Sequence, residues 1–129
     1  MNAPLSELRV LLVEDEVLIA CMLQDMLTDL GCSVVGPAAR VDEALALIET
    51  NAIDAAMLDV NLNGELSYPI ADALVARGVP FLFSTGYERD RVQDGYRGYT
   101  ILQKPFHGSE LARALISIVN PEPQTIRAA

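Results

Sequence analysis

The sequence predicts a doubly wound α/β domain, a five-stranded parallel sheet with helices on both faces. Two observations predict it. Short β-rich apolar runs alternate five times with longer stretches of helical spacing, which implies parallel strands joined by right-handed crossovers. The runs AAML (55–58) and PFLF (80–83) are nearly continuous in apolar residues, as strands covered on both sides must be. A length of 129 residues suits one domain, and 51% hydrophobic residues can furnish its core.

The elements follow in order. A first strand is expected at Leu8–Val13. The first helix carries a stripe of Ile19, Met22, Leu23, Met26, Leu27 and Leu30, with Gln24, Asp25, Thr28 and Asp29 opposite and Gly31 placed to end it. Strand two is Ser33–Gly36, and helix two is suggested by Val41, Ala44, Leu45 and Ile48. Strand three is Ala55–Asp59. The third helix has Ser67 at its start, Pro69 in its first turn and Gly78 just past its end. Strand four is Pro80–Ser84. The stretch YERDRVQDGYRGY (87–99) has two glycines and few apolar residues, so the fourth helix should be short or mobile. Strand five is Thr100–Gln103, and the last helix presents Leu111, Ala112, Leu115, Ile116 and Val119. The expected division is a domain over 1–120 and a flexible tail over 121–129.

Bulk properties narrow the function. Nine basic against 18 acidic residues give a net charge of −9, the wrong sign for displacing counterions from nucleic acid. No apolar run approaches the ~20 residues that span a bilayer. The N-terminus lacks the features of a secretory leader, so a cytoplasmic protein is expected. Cys21 and Cys32 sit inside apolar patterns, which suggests two buried, reduced thiols. His107, the sole histidine, lies near the start of the last helix and suits a polar capping role.

In such a sheet, ligands bind beyond the carboxyl ends of the strands. Glu14, Asp15 and Glu16 follow strand one, Asp59 ends strand three, Ser84 and Thr85 follow strand four, and Lys104 follows strand five. Any one of these could be a solvated strand end. As a set, they are what phosphoryl transfer to a carboxylate requires. Grouped carboxylates repel one another unless a hard cation such as Mg²⁺ lies between them. Asp15 and Asp59 could be direct ligands, with Glu14 working directly or through water. Lys104 can reach one phosphoryl oxygen and Thr85 can donate to another, leaving Asp59 as nucleophile.

LLVEDE (11–16), MLDVN (57–61), STGY (84–87) and QKPF (103–106) occur in this order, and over about Leu8 to Val119 the chain resembles a response-regulator receiver domain. The resemblance implies that Asp59 is the phospho-acceptor, Glu14 and Asp15 the acidic pair, Thr85 the switch hydroxyl and Lys104 the conserved-type lysine. It also implies the flavodoxin-like strand order 2-1-3-4-5, a metal ligand from the backbone carbonyl of Asn61 and a cis peptide at Lys104–Pro105. PFLFSTGY, with Tyr87 after Thr85–Gly86, resembles the FAT GUY subgroup, mostly stand-alone receivers linked to stress signalling. Its implied donor is a sensor histidine kinase or histidine phosphotransfer protein contacting helix one. Homodimerisation on phosphorylation is left open.

The chain departs from the usual receiver pattern in two places. The loop after the acceptor reads NLNGELSYP, without the usual proline directly after Leu62. Ile101 stands where receivers commonly have a Tyr or Phe that reports phosphorylation, so either readout passes through Thr85, Gly86 and Tyr87, or Tyr87 simply covers the weak fourth helix. With about ten residues after Val119, no output module is expected, and action by docking, donor competition or phosphate storage follows. Two other classes compete. An aspartate-nucleophile phosphatase of the haloacid dehalogenase type needs Asp-x-Asp, and Asn61 cannot supply the second acid. A receiver-like adaptor that is never phosphorylated would be favoured by loss of Asp59, Lys104 or Asp15, and all three are present. A flavin site is disfavoured, because VEDE would repel the phosphate.

Overall fold

The computed structural model describes residues 5–86 and 99–119. The chain runs β1 (Arg9–Val13), α1 (Val17–Asp29), β2 (Ser33–Ala38), α2 (Val41–Thr50) and β3 (Ala55–Asp59). It continues through β4 (Asn61–Leu62), β5 (Glu65–Leu66), α3 (Tyr68–Ala76), β6 (Phe81–Thr85), β7 (Ile101–Gln103) and α4 (Gly108–Val119). One parallel sheet has the order β2-β1-β3-β6-β7, the doubly wound arrangement the alternation predicts.

Side chains alternate across each strand, so neighbouring residues feed opposite cores. Leu11, Val13, Ala56, Leu58, Phe81 and Phe83 face Val41, Ala44 and Ile48 of α2 and Ile70, Ala71 and Leu74 of α3. Val10, Leu12, Ala55, Met57 and Leu82 face Leu23 and Leu27 of α1 and Leu111 and Leu115 of α4. The register places Val13 beside Leu58, Asp59 beside Ser84 and Thr85 beside Gln103. The polar residues at these strand ends therefore emerge at one edge of the sheet.

The second strand runs two residues further than expected. Gly36 takes φ +99°, and a Cβ there would lie 2.9 Å from Ala38 N and 3.0 Å from the Leu12 carbonyl oxygen, so only glycine fits. The register with β1 shifts between Leu11 and Val13, and the Ala38 carbonyl accepts the Glu14 N–H at 2.9 Å. The irregularity in β2 thus holds the first residue of the acidic run.

A small antiparallel hairpin, β4–β5, was not expected. Asn63 (φ 56°) and Gly64 (φ 94°) form its turn, and the Asn61 side-chain oxygen accepts the Gly64 N–H at 2.6 Å. The Asn-Gly pair between Leu62 and Leu66 is the sequence signal for it. Leu62 is buried in the α2–α3 core, so the loop after Asp59 is anchored.

Two expectations about α1 are corrected. Its buried line is Ala20, Leu23 and Leu27, whereas Met22 is 62% exposed. Cys21 is exposed and only Cys32 is buried. The reason is an apolar run from Val17 to Leu23, too long for one helix face to bury. Expectations for the fourth helix, for Tyr87 and for the tail fall outside the described residues.

Phe83 is fully buried and meets Phe81 and Tyr68 edge-on, at centroid distances of 5.5 and 5.9 Å. Phe83→Ala is expected to lower the unfolding free energy by about 3–5 kcal/mol in urea titrations, and Phe83→Leu by clearly less.

Candidate functional site

Glu14 leaves β1 with its side chain wholly buried, and Asp59 ends β3 with 13% of its side chain exposed. Lys104 follows β7, where its N–H bonds the Thr85 carbonyl at 2.8 Å. Its Nζ lies 2.7 Å from Glu14 Oε1 and 3.2 Å from Asp59 Oδ2, so one ammonium joins two carboxylates from different strands. Glu14 Oε2 accepts the Glu16 N–H at 3.2 Å, and Asp59 Oδ1 accepts the Asn61 N–H at 3.3 Å. Glu14, Asp15 and Asp59 each offer an oxygen within 4.8 Å of the others. Three hard oxygen donors this close suit a divalent cation of the Mg²⁺ type.

Thr85 closes β6 rather than following it, and is 5% exposed. Its hydroxyl is buried without a hydrogen-bond partner among the described residues. Leaving such a group unsatisfied costs about 1–3 kcal/mol, which a ligand oxygen would recover. Gly86, Pro105, Glu16 and Ile19 line an open cavity of about 460 Å³ with Asp59 and Lys104. The Lys104–Pro105 peptide is cis, as the sequence led us to expect, and so is Gly36–Pro37. Ile101 is half-buried and packs against the α2–α3 core beside Phe83.

The structure therefore gathers Glu14, Asp15, Asp59 and Lys104 at one point, with Thr85 and Gly86 on the adjoining strand end. His107 lies apart from them in a capping role made by its main chain. Its N–H bonds the Glu110 carboxylate at 2.7 Å, and its carbonyl accepts the Leu111 N–H that starts α4. Two features escaped the sequence reading. Glu16 sits on the cavity rim rather than in the cluster. A second groove, of about 120 Å³, runs beside Lys104 between Ile19, Met22, Leu23, Met26, Pro105 and Phe106. Beside it Val17 and Leu18 are 75% and 79% exposed, an apolar surface at the edge of the acidic site.

Burial pushes the Glu14 carboxyl from its ordinary 4.5 up to about 7, against the Lys104 hydrogen bond that pulls it down. Burial alone would lower the Lys104 ammonium. The hydrogen bond to Glu14 and the charges of Asp59 and Glu14 outweigh it and hold the ammonium above its usual value. A carboxyl raised on folding favours the folded state below pH 4.5, and that contribution is lost as the pH climbs through about 7. Without divalent ions, Glu14→Gln should match the wild type near pH 4.5 and become relatively more stable above pH 7, by on the order of a few kcal/mol. Urea unfolding across pH 4.5–8 measures this. A variant that loses relative stability as the pH rises would place the lysine, not burial, in control of Glu14.

The family model described as "Response regulator receiver domain" matches residues 10–116. The transcriptional regulatory protein PdtaR of Mycobacterium tuberculosis is 31% identical over 113 residues, covering 83% of this chain. This chain spans about half of that protein, 54% of its length. The solution structure of SdrG from Sphingomonas melonis Fr1 superposes with a TM-score of 0.80 at 47% identity, covering 88% of this chain and 97% of that one. The BeF3-activated conformation of SdrG, from Pseudomonas melonis Fr1, gives 0.76 at 45% identity over 92% and 99% of the two chains. The PhyR stress response regulator gives 0.78 at 26% identity, over 94% of this chain and 49% of that one. With a matched family model over most of its length, the chain belongs to the response regulator receiver domain family, a family of signalling proteins rather than of classical enzymes.

Proposed function

We propose that this receiver accepts a phosphoryl group on Asp59 from a phosphohistidine of a sensor histidine kinase or histidine phosphotransfer protein. The observation that carries this is the Lys104 ammonium joining Glu14 and Asp59 while the buried Thr85 hydroxyl has no hydrogen-bond partner among the described residues. In this reading, an Asp59 carboxylate oxygen attacks phosphorus, the phosphorus–nitrogen bond breaks, and the imidazole leaves with the electron pair. Asp15, Asp59, Glu14 and the Asn61 carbonyl would hold Mg²⁺, which when bound offsets the repulsion between nucleophile and phosphoryl group. Lys104 turns part of its charge to a phosphoryl oxygen, and Thr85 donates its hydroxyl to another.

The donor docks on the apolar surface of α1, where Val17, Leu18 and Met22 project beside the groove lined by Phe106. Ile101 has no hydroxyl to report the event, so the signal leaves through Thr85, Gly86 and the segment that contains Tyr87. The output is a protein–protein contact in the cytoplasm. Likeness to the PhyR stress response regulator supports a role in stress signalling. Asn61 in place of a second acid argues against a phosphatase.

Phos-tag electrophoresis after incubation with Mg²⁺ and acetyl phosphate should show a shifted species that Asp59→Ala and chelation by EDTA both abolish. A wild-type chain that never shifts would favour the adaptor reading, and a shift that survives Asp59→Ala would mean a different acceptor. Thr85→Val should leave metal-free stability unchanged or raise it by about 1 kcal/mol, because it removes an unsatisfied hydroxyl. The same variant should slow phosphoryl uptake by about 10-fold or more, having lost one donor to the transition state.

A further inference from the structure

We propose that Glu16 is a specificity-determining residue that ranks phosphoryl donors by their charge and disfavours free dianionic acyl phosphates. The assignment rests on the reading of Asp59 as acceptor. Glu16 is exposed, occupies the N-cap position of α1 and lines the same open cavity as Asp59, Gly86 and Lys104. Its main chain is fixed, since its N–H is donated to Glu14 Oε2. Its side chain makes no capping hydrogen bond, and the ion pairs among the described residues, those of Arg40 and Lys104, do not include it. The carboxylate is therefore not consumed by the helix start, and it stands where a donor enters.

The local charge balance leaves little to offset it. Lys104 already serves Glu14 and Asp59. A divalent ion held by Glu14, Asp15 and Asp59, together with the Lys104 ammonium, would balance those three carboxylates and leave Glu16, outside the set, without a counter-charge among the described residues. A merely solvated acid at a helix start would affect stability and treat all donors alike. A rim charge acts differently, because its Coulomb energy with an incoming donor scales with the charge of that donor.

Two small donors separate these cases. Acetyl phosphate is a dianion near neutral pH, and phosphoramidate is a monoanion. In each transfer an Asp59 oxygen bonds to phosphorus. The phosphorus–oxygen bond breaks to release acetate in the first, and the phosphorus–nitrogen bond breaks to release ammonia, after protonation, in the second.

The test follows rates of Asp59 phosphorylation by Phos-tag time course at saturating Mg²⁺, for the wild type, Glu16→Gln and Glu16→Lys. At low ionic strength Glu16→Gln is expected to react about 5-fold faster with acetyl phosphate and only about 2-fold faster with phosphoramidate. Glu16→Lys should extend both gains in the same direction. All gains should shrink toward unity at about 0.5 M salt, where the screening length falls to a few ångström. Equal gains for the two donors, no gain for either, or gains that ignore salt would each overturn the assignment. A wild-type chain that takes up phosphoryl from neither donor would instead overturn the acceptor reading beneath it. Matching circular-dichroism melts for the three proteins show whether any rate change comes from misfolding.

Discussion

One ammonium shared by two carboxylates is the constraint on which the sheet edge depends. Glu14 and Asp59 come from adjacent strands and would repel each other at this distance without Lys104 between them. The pair is not good evidence for stability, since taking three charges out of water costs about as much as their attraction returns. Its meaning is different. Charges held desolvated and close are ready to be redistributed when an anion or cation arrives, and the scaffold carries the cost of keeping them so.

The rest of the fold can be read as the means of holding that cluster. Both faces of the sheet are packed, so the strand ends cannot shift relative to one another without disturbing two cores. The Lys104 N–H is tied to Thr85 and the Glu14 N–H to Ala38, which fixes the main chain on either side of the charges. Leu62 buries the loop after Asp59, so Asn61 is presented from an anchored hairpin rather than from a free loop.

Sequence periodicity was enough for a doubly wound parallel sheet, because both faces need apolar runs whose spacing differs from that of the helices, whereas the strand order came with the family resemblance. The gathering of Glu14, Asp15, Asp59 and Lys104 was legible for the same reason, as strand ends in a parallel sheet share one edge. What the sequence hid was exposure. Met22 and Cys21 look like core residues in a pattern, and only packing decides that Ala20 takes the inward place. The hairpin was legible in Asn63–Gly64 but overshadowed by the acceptor beside it. Glu16 was indistinguishable from its acidic neighbours until burial separated Glu14, inside, from Glu16, on the rim.

The irregular second strand has a consequence beyond its hold on Glu14. It lies at the outer edge of the sheet, where a regular strand would offer a free row of donors and acceptors to any extended chain. Pro37 has no N–H to offer, and the left-handed Gly36 breaks the straight line that a new strand would need. At the opposite edge, β7 is only three residues long. The same kink that steadies the acidic cluster thus also discourages sheets of neighbouring molecules from joining edge to edge.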